Sequence, residues 1–298
     1  MTQLDEQTPQ FAPTPDGRTL AYAQIGASDG TPVFVLHGTP GSRLSGAHPD
    51  PSRVADAGLR VITYDRPGYG RSTRHQGRAV VDCVADVAVI ADALGIERFV
   101  VTGGSGGGPH SLAVAARLPE RVIRAECNVS GAPYDAPDLE WFAGMDPENV
   151  KEFGWALESE ETLARELRLQ ADEMLSRLDE DPSSVLDGFE LSEADRAVLQ
   201  DRVVRERLRT SIREALGGGV WGWVDDDLAF VKPWGFAVEE IRVPVQVRYG
   251  AGDVLVPAGH GEWLARRVPN ANVIVDHDAG HLSTPDEHLE RLRALVSG

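Results

Sequence analysis

Short apolar runs alternate with amphipathic stretches in the first and last parts of the chain. The apolar runs predict strands at Pro32–Leu36, Val61–Asp65, Phe99–Gly103, Val122–Val129, Val243–Tyr249 and Val273–Asp276. The stretches between and after them predict helices at Val80–Leu94, Ser111–Leu118, Pro257–Val268 and Pro285–Val296. Before all of these, Pro15-Asp16-Gly17 predicts a hairpin turn. Alternating strands and helices indicate an α/β protein with a mostly parallel sheet and helices on both faces.

Residues 133–230 lack the strand pattern and are predicted to be helical. Ser192-Glu193-Ala194-Asp195 is typical of a helix start, and apolar residues follow it at helical spacing. The segment ends in Gly217-Gly218-Gly219, beside Trp221 and Trp223, which suggests a hinge next to an aromatic surface that contacts substrate. Ordinary packing of the two tryptophans is the alternative. We therefore expect a core domain of residues 1–132 and 231–298 and a helical insertion of residues 133–230.

Charge and composition exclude several classes of partner. The formal charge is −18, and residues 133–230 alone hold 25 acidic and 10 basic side chains. Such a chain is poorly suited to nucleic acid or to anionic membranes, because both attract positive patches. The chain has two cysteines, its N-terminus has no signal-peptide pattern, and it contains no long apolar segment, so we expect a cytoplasmic location.

A candidate nucleophile lies between a predicted strand and a predicted helix. Gly103-Gly104-Ser105-Gly106-Gly107 follows the strand at Phe99, and a serine at such a tight turn presents its hydroxyl above the sheet. Nucleotide-binding loops fit poorly, because Gly108-Pro109-His110 stands where a phosphate loop needs lysine and where a dinucleotide loop needs glycine. Ser105 is thus the predicted nucleophile.

An acyl-transfer site also needs backbone donors for the oxyanion. One N–H usually comes from the residue after the nucleophile, here Gly106. The second is expected from the loop His37-Gly38-Thr39-Pro40-Gly41-Ser42, which follows an earlier strand. Pro40 has no N–H, so Thr39 is the predicted donor, and Gly38 is expected beside the substrate.

The base and its orienting acid are predicted near the C-terminus. Gly252-Asp253 follows one predicted strand and Gly280-His281 follows the next, at the same edge of a parallel sheet as Ser105. The chain order Ser, Asp, His is the one expected for this architecture. His277, His110 and His260 are weaker candidates for the base, His260 because it is expected on a surface helix. Asp135 and the run Asp225-Asp226-Asp227 are weaker candidates for the acid.

These motifs, together with Asp65-Arg66-Pro67-Gly68-Tyr69-Gly70-Arg71-Ser72, resemble those of the α/β-hydrolase superfamily. The resemblance covers residues 30–132 and 231–298. It implies a sheet of about eight strands, a helical cap inserted after the sixth, and an acyl-enzyme mechanism. Ser105 would then attack a carbonyl, His281 would move the proton, and Asp253 would fix the imidazole tautomer. No metal or cofactor is expected, since no Cys-x-x-Cys pair occurs and the cluster His277-Asp278 with His281 is better explained by the triad.

The substrate is left open by the motifs, because esters, thioesters, lactones and amides share this machinery. A carboxylic ester of a small or medium apolar acid is our first expectation, and a lyase or perhydrolase would use the same triad. Prolyl aminopeptidases are similar in their paired glycines and in the Pro-Gly after the His-Gly turn. In that comparison Glu148, Glu152 or Asp225–Asp227 would bind a substrate amine, although Thr39 and Gly106 depart from the glycine and tryptophan of that group. A non-catalytic ligand-binding member of the fold is the third reading.

Overall fold

The computed structural model describes residues 3–4, 8–46 and 50–298, with side chains described from residue 8 onward. Its central sheet contains strands β1 (Gln3–Leu4), β2 (Gln10–Pro13), β3 (Thr19–Ala27), β4 (Thr31–Leu36), β5 (Leu59–Tyr64), β6 (Phe99–Gly104), β7 (Val122–Asn128), β8 (Val245–Gly250) and β9 (Ala271–Asp276). Their order is β1, β3, β5, β4, β6, β7, β8, β9, and β2 also pairs with β3. β1 and β2 share one edge of β3, so the described strands fill eight positions.

The six neighbouring strands β5, β4, β6, β7, β8 and β9 are parallel, and β3 is antiparallel to its neighbours. Helices cover both faces, as the sequence predicts: α1 (Pro51–Asp56), α2 (Cys83–Ala93), α3 (Gly107–Arg117), α9 (Ala258–Arg267) and α10 (Pro285–Ser297). Apolar side chains of α2, α3 and α9 pack on one face, and those of α1 and α10 pack on the other. All parallel strands point their carboxyl ends to one rim, where loops with functional side chains can meet.

A helical insertion separates β7 from β8. It comprises α4 (Pro147–Glu158), α5 (Glu160–Arg177), α6 (Glu193–Val198), α7 (Arg202–Leu216) and α8 (Trp221–Phe230). Side chains of Asp146, Ser159, Ser192 and Asp201 accept hydrogen bonds from the first turns of α4 to α7, which explains where these helices begin. The insertion has its own apolar core, which includes Leu163, Leu167 and Ile212.

The start of α3 and the burial of His260 on α9 differ from what the sequence predicts. The helix expected from Ser111 begins at Gly107, because tertiary contacts hold glycines and Pro109 in the first turn despite their low helix propensity. His260, expected on a surface helix, is buried: its Nδ1 accepts from the Ala132 N–H at 3.1 Å and its Nε2 lies 2.9 Å from the Trp141 carbonyl oxygen. Among the described residues, no helix has the length and apolar character needed to cross a membrane.

Candidate active site

Ser105 occupies the sharp turn between β6 and α3. Its φ is 54°, in the left-handed region that a non-glycine residue rarely adopts. The Ser105 N–H donates to the Asn128 carbonyl oxygen at 3.0 Å, which ties the turn to β7. A side chain on Gly103 would collide with the Gly107 carbonyl, and one on Gly107 would collide with the Leu36 carbonyl. These glycines are therefore required for the turn, and Ser105 borders three cavities at the carboxyl rim of the sheet.

Asp253 and His281 form a hydrogen-bonded pair at the same rim. Their Oδ2 and Nδ1 atoms lie 2.8 Å apart. The other oxygen of Asp253 accepts from the N–H groups of Leu255 and Val256 at 3.0 and 2.9 Å, so the buried carboxylate is held from both sides. Burial opposes protonation of the His281 ring, but the charge and hydrogen bond of Asp253 outweigh it and raise the pKa of His281.

The tautomer of His281 follows from this pair. A carboxylate accepts only, so Nδ1 carries the proton and Nε2 has a free lone pair. His281 and Ser105 border the same cavity, and no hydrogen bond joins them in this structure. Such bonds are commonly long before substrate binds. The pair has the chemistry to take a proton from a hydroxyl in that cavity.

A buried aspartate of the helical insertion holds the turn that carries His281. Asp195 Oδ1 accepts from the N–H groups of His281 and Leu282 at 2.8 and 2.7 Å. Its other oxygen accepts from the Ser192 hydroxyl at 2.7 Å. The helix-start pattern at Ser192–Asp195 is visible in the sequence, but nothing in that pattern reveals this second partner.

The Gly38–Thr39 peptide is held by its carbonyl oxygen. That oxygen accepts from Arg66 Nη2 at 2.9 Å and lies 2.7 Å from His37 Nδ1. His37 Nε2 accepts from the Arg66 N–H at 3.1 Å, so the ring proton is on Nδ1 and donates to the same carbonyl. Burial lowers the pKa of His37, which keeps the ring neutral.

This arrangement directs the opposite end of the peptide away from Arg66. In a planar trans peptide the N–H points opposite to the C=O, so the Thr39 N–H is aimed away from the arginine. Neither this N–H nor that of Gly106 has a hydrogen-bond partner among the described residues. Thr39 and Gly106 border a common cavity with Ser105, where two free donors suit a negatively charged oxygen.

Asp226 anchors the loop to helix α8. It is fully buried, and its carboxylate accepts from Arg66 and Thr39 Oγ1, each at 2.6 Å, and from Tyr69 Oη at 2.9 Å. Arg78 Nη2 lies 2.7 Å from its other oxygen. Burial alone would favour the neutral acid, but the two guanidinium groups hold the pKa of Asp226 well below its usual range.

The neighbouring Asp227 faces another acid. It is buried against half-buried Glu152, whose Oε1 also accepts from Trp223 Nε1 at 3.0 Å. Burial raises the pKa of Glu152 to about 7, and burial together with the charge of Glu152 raises that of Asp227 well above its usual range. Asp227 Oδ2 has no hydrogen-bond partner among the described residues. Both residues border a cavity with Ser105 and Gly106, so an acidic pair that shares a proton lies beside the candidate nucleophile.

The other predicted site residues have distinct positions. Gly38 lies against Ser105, where an added Cβ would be 3.5 Å from the serine Cβ. Trp223 borders a cavity with Ser105, whereas Trp221 packs between Arg74 and Arg168 and lines none of the three cavities at Ser105. Glu148 lies in the cavity with Trp223.

The alternative acids and bases are placed elsewhere or are engaged. His277 and Asp135 are exposed, and Asp225 pairs with Arg74 at 2.8 Å. His110 is buried with Nδ1 2.8 Å from the Gly106 carbonyl oxygen. No group of three or more His, Cys, Asp or Glu side chains suited to a metal occurs in the described part of the chain.

Comparison with known proteins identifies the family. The sequence pattern of the α/β-hydrolase fold matches residues 31–287, so the chain belongs to this family. A pimeloyl-[acyl-carrier protein] methyl ester esterase of Aromatoleum aromaticum is 31% identical over 258 residues, which cover 81% of this chain and 89% of the esterase.

Two further matches support less, one because it covers only part of the chain and one because its sequence identity is low. A proline iminopeptidase of Xylella fastidiosa is 40% identical over 111 residues, but the match covers 36% of this chain and only 34% of that protein. The crystal structure of a hydrolase from Pseudomonas aeruginosa superposes with a TM-score of 0.68 and 22% identity, covering 99% of this chain and 100% of that one. At this identity the likeness supports the fold alone.

Proposed function

We propose that this chain is a serine hydrolase that cleaves a carboxylic ester through an acyl-enzyme intermediate. The observation that carries the proposal is the strained Ser105 turn, bordering one cavity with a histidine that is hydrogen-bonded to a buried aspartate. Ser105 attacks the carbonyl, His281 accepts the proton and returns it to the leaving oxygen, and Asp253 orients the ring. Water then releases the acid by the same steps.

The N–H groups of Thr39 and Gly106 are proposed to hold the oxyanion. Neither has a hydrogen-bond partner in the described part of the chain, and both residues border a cavity with Ser105. Arg66 supports this role, because its hydrogen bond to the Gly38 carbonyl polarises the peptide that contains the Thr39 N–H. Helices α4 to α8 act as a cap, with Glu152 and Trp223 contributing to the cavity walls.

The test uses a fluorophosphonate probe and p-nitrophenyl esters of increasing acyl length. We expect rapid labelling of the wild type and none of Ser105→Ala, with ester turnover reduced by several orders of magnitude in Ser105→Ala and His281→Ala. Ser130→Ala is a matched control, because Ser130 borders none of the three cavities at Ser105 and its hydroxyl donates to the Asn128 carbonyl. An unlabelled, inactive wild type that still binds small esters would support the ligand-binding alternative instead.

A second candidate is a peptidase that requires a free substrate amine. The acidic pair Glu152 and Asp227 favours it, because a protonated amine would displace the shared proton and compensate the charge in the cavity beside Ser105. The proline iminopeptidase match supports the same idea, although it covers only 36% of this chain.

The two candidates are separated by comparing a p-nitrophenyl ester with proline p-nitroanilide and its N-acetyl derivative. The peptidase requires turnover of the free-amine anilide, little turnover of the acetylated one, and loss of that preference in Glu152→Gln. Turnover of the ester without turnover of either anilide would leave the esterase as the function.

A further inference from the structure

Arg291 of helix α10 borders the cavity that contains Ser105 and His281. This cavity measures about 300 Å³ and extends from the carboxyl rim between the sheet and the start of α10. Arg291 is half-buried there, in a chain with a net charge of −18. Arg207 of α7 also borders the cavity. A molecule bound in this cavity could therefore contact both Ser105 and the guanidinium of Arg291.

Neutral groups hold the guanidinium of Arg291. Nη2 donates to Ser283 Oγ at 3.0 Å and to His288 Nδ1 at 3.2 Å. His288 Nε2 lies 3.2 Å from the Gly46 carbonyl oxygen, so the ring proton is on Nε2 and Nδ1 is the acceptor that Arg291 uses. The Arg291 Nε is buried with no hydrogen-bond partner among the described residues. The side chain is therefore positioned, but its hydrogen-bonding capacity is not filled.

No carboxylate pairs with Arg291 within 4.0 Å in the described part of the chain, whereas the buried Arg43, Arg66 and Arg78 each have one. Four charged groups lie around it: Glu126, Arg248, Glu287 and Asp276. Glu126 accepts from Thr102 and Gln246 and lies 3.8 Å from Arg248, so it is engaged by other groups. Burial lowers the pKa of Arg291, because it outweighs the opposing charges of Glu126, Glu287 and Asp276.

The position of His281 indicates which part of an ester enters this cavity. His281 borders this cavity and neither of the other two at Ser105. In the proposed mechanism it returns its proton to the leaving oxygen, so the alcohol part must lie near it. The acyl part then extends toward Thr39 and Gly106, which border the second cavity.

We infer that Arg291 binds a carboxylate on the alcohol part of the substrate, so that the preferred esters are those of hydroxycarboxylic acids. The inference rests on the proposed ester hydrolysis. The acyl–oxygen bond breaks, water supplies the new acid oxygen, and the products are a carboxylic acid and a free hydroxy acid. A monoanionic carboxylate matches the planar guanidinium edge, whereas a phosphate dianion would bring a second charge close to Glu126.

Two nearly isosteric esters test the inference: 4-acetoxybenzoate, which has the carboxylate, and 4-acetoxybenzamide, which lacks the charge. We expect Arg291→Gln to lower kcat/KM for 4-acetoxybenzoate about tenfold or more, and to change that for the amide by less than about threefold. Using the ratio of variant to wild type for each ester cancels their different intrinsic reactivities. Arg293→Gln, an exposed arginine of the same helix, is the matched control and should change neither.

Binding of the product gives a readout that does not depend on turnover. In Ser105→Ala, 4-hydroxybenzoate should bind more tightly than 4-hydroxybenzamide by calorimetry, and Arg291→Gln in that background should remove the difference. An equal decrease in kcat/KM for both esters in Arg291→Gln, or no decrease for either, would overturn the role of Arg291. Failure of Ser105→Ala to abolish wild-type turnover would instead overturn the proposed function and leave the binding result to stand on its own.

Discussion

At the scale of single residues, protonation of His281 decides whether the proposed base can accept a proton. Asp253 raises the pKa of His281, so the ring loses its free lone pair at a higher pH than an isolated histidine does. We expect kcat/KM for a neutral ester to fall as the pH decreases through this raised value. Asp253→Asn should move the acid limb to lower pH and reduce kcat by roughly 10⁴-fold, by analogy with other triads. Asp278→Asn, at an exposed position, is the control, and an unmoved limb in Asp253→Asn would argue against the pairing.

The acidic pair Glu152 and Asp227 links stability to pH in a defined direction. Both pKa values are raised in the folded protein, so the native state holds more protons than the unfolded chain above about pH 4. The free energy of unfolding therefore decreases as the pH rises from about 5 to 8, until the native pair also ionises. We expect Asp227→Asn to reduce this loss, measured by urea unfolding at both pH values. Asp172→Asn, at an exposed position, should behave as wild type. If the free energy of unfolding of Asp227→Asn depended on pH as in the wild type, the shared proton would be contradicted.

At the scale of elements, the loop after β4 depends on Arg66 for its orientation. Arg66→Lys keeps a positive charge but cannot reach the Gly38 carbonyl, Thr39 Oγ1 and Asp226 together. We expect kcat to fall about 10- to 100-fold with a smaller change in KM, because a displaced Thr39 N–H affects the transition state most.

Arg78→Lys is the matched control for this prediction. Arg78 also pairs with Asp226 but donates to Gly222 rather than to the Gly38–Thr39 peptide. Both variants should lose stability, and only Arg66→Lys should show the large fall in kcat. Equal effects on kcat would mean that the arginine acts only through folding.

Helix α6 controls the turn that carries His281. Asp195→Ala removes the acceptor for the His281 and Leu282 N–H groups, so we expect a lower kcat and a loss of about 1–3 kcal/mol in the free energy of unfolding. Asp195→Asn keeps an acceptor oxygen and should restore much of kcat. Asp201→Ala, which removes only the cap of α7, should reduce stability without the effect on kcat. Failure of the asparagine variant to rescue kcat would exclude a positioning role.

At the scale of the whole molecule, the negative charge governs long-range association. With −18 overall and most of the excess in residues 133–230, the surface should repel anionic polymers. We expect no co-sedimentation with phosphatidylserine vesicles and no mobility shift of duplex DNA at about 50 mM salt, where electrostatic binding is strongest. Salt-sensitive binding to either would show a basic surface that the composition hides.

The strands and the positions of the candidate site residues could be predicted together, because both depend on local pattern. Buried parallel strands appear as short apolar runs, and the runs at Phe99 and Val122 match β6 and β7 to within a residue at each end. Loops at one rim then bring Ser105, Asp253 and His281 near one another by topology. Helix α3 was predicted four residues short, because its first turn is stabilised by packing against β4 and β7 rather than by propensity.

Partners distant in the sequence could not be predicted in this way. The run Asp225-Asp226-Asp227 is one acidic cluster in the sequence, but its members pair with Arg74, with Arg66 and Arg78, and with Glu152. Helical geometry turns successive side chains by about 100°, so each meets a different neighbour. The same holds for Trp221 and Trp223, of which only the second reaches a cavity at Ser105.

The sequence by itself determined the class of fold, the family, and the turn that strains Ser105, since these follow from periodicity and from glycines where no side chain fits. Only the tertiary structure decided that Asp195 holds the histidine turn, that Arg66 holds the Gly38–Thr39 peptide, and that Arg291 Nε is buried without a hydrogen-bond partner among the described residues. Charged side chains are long, and their positions in the sequence do not follow the helical or strand periodicity of apolar residues. Their partners, protonation states and burial are therefore set by which elements pack together, and that depends on the whole folded chain.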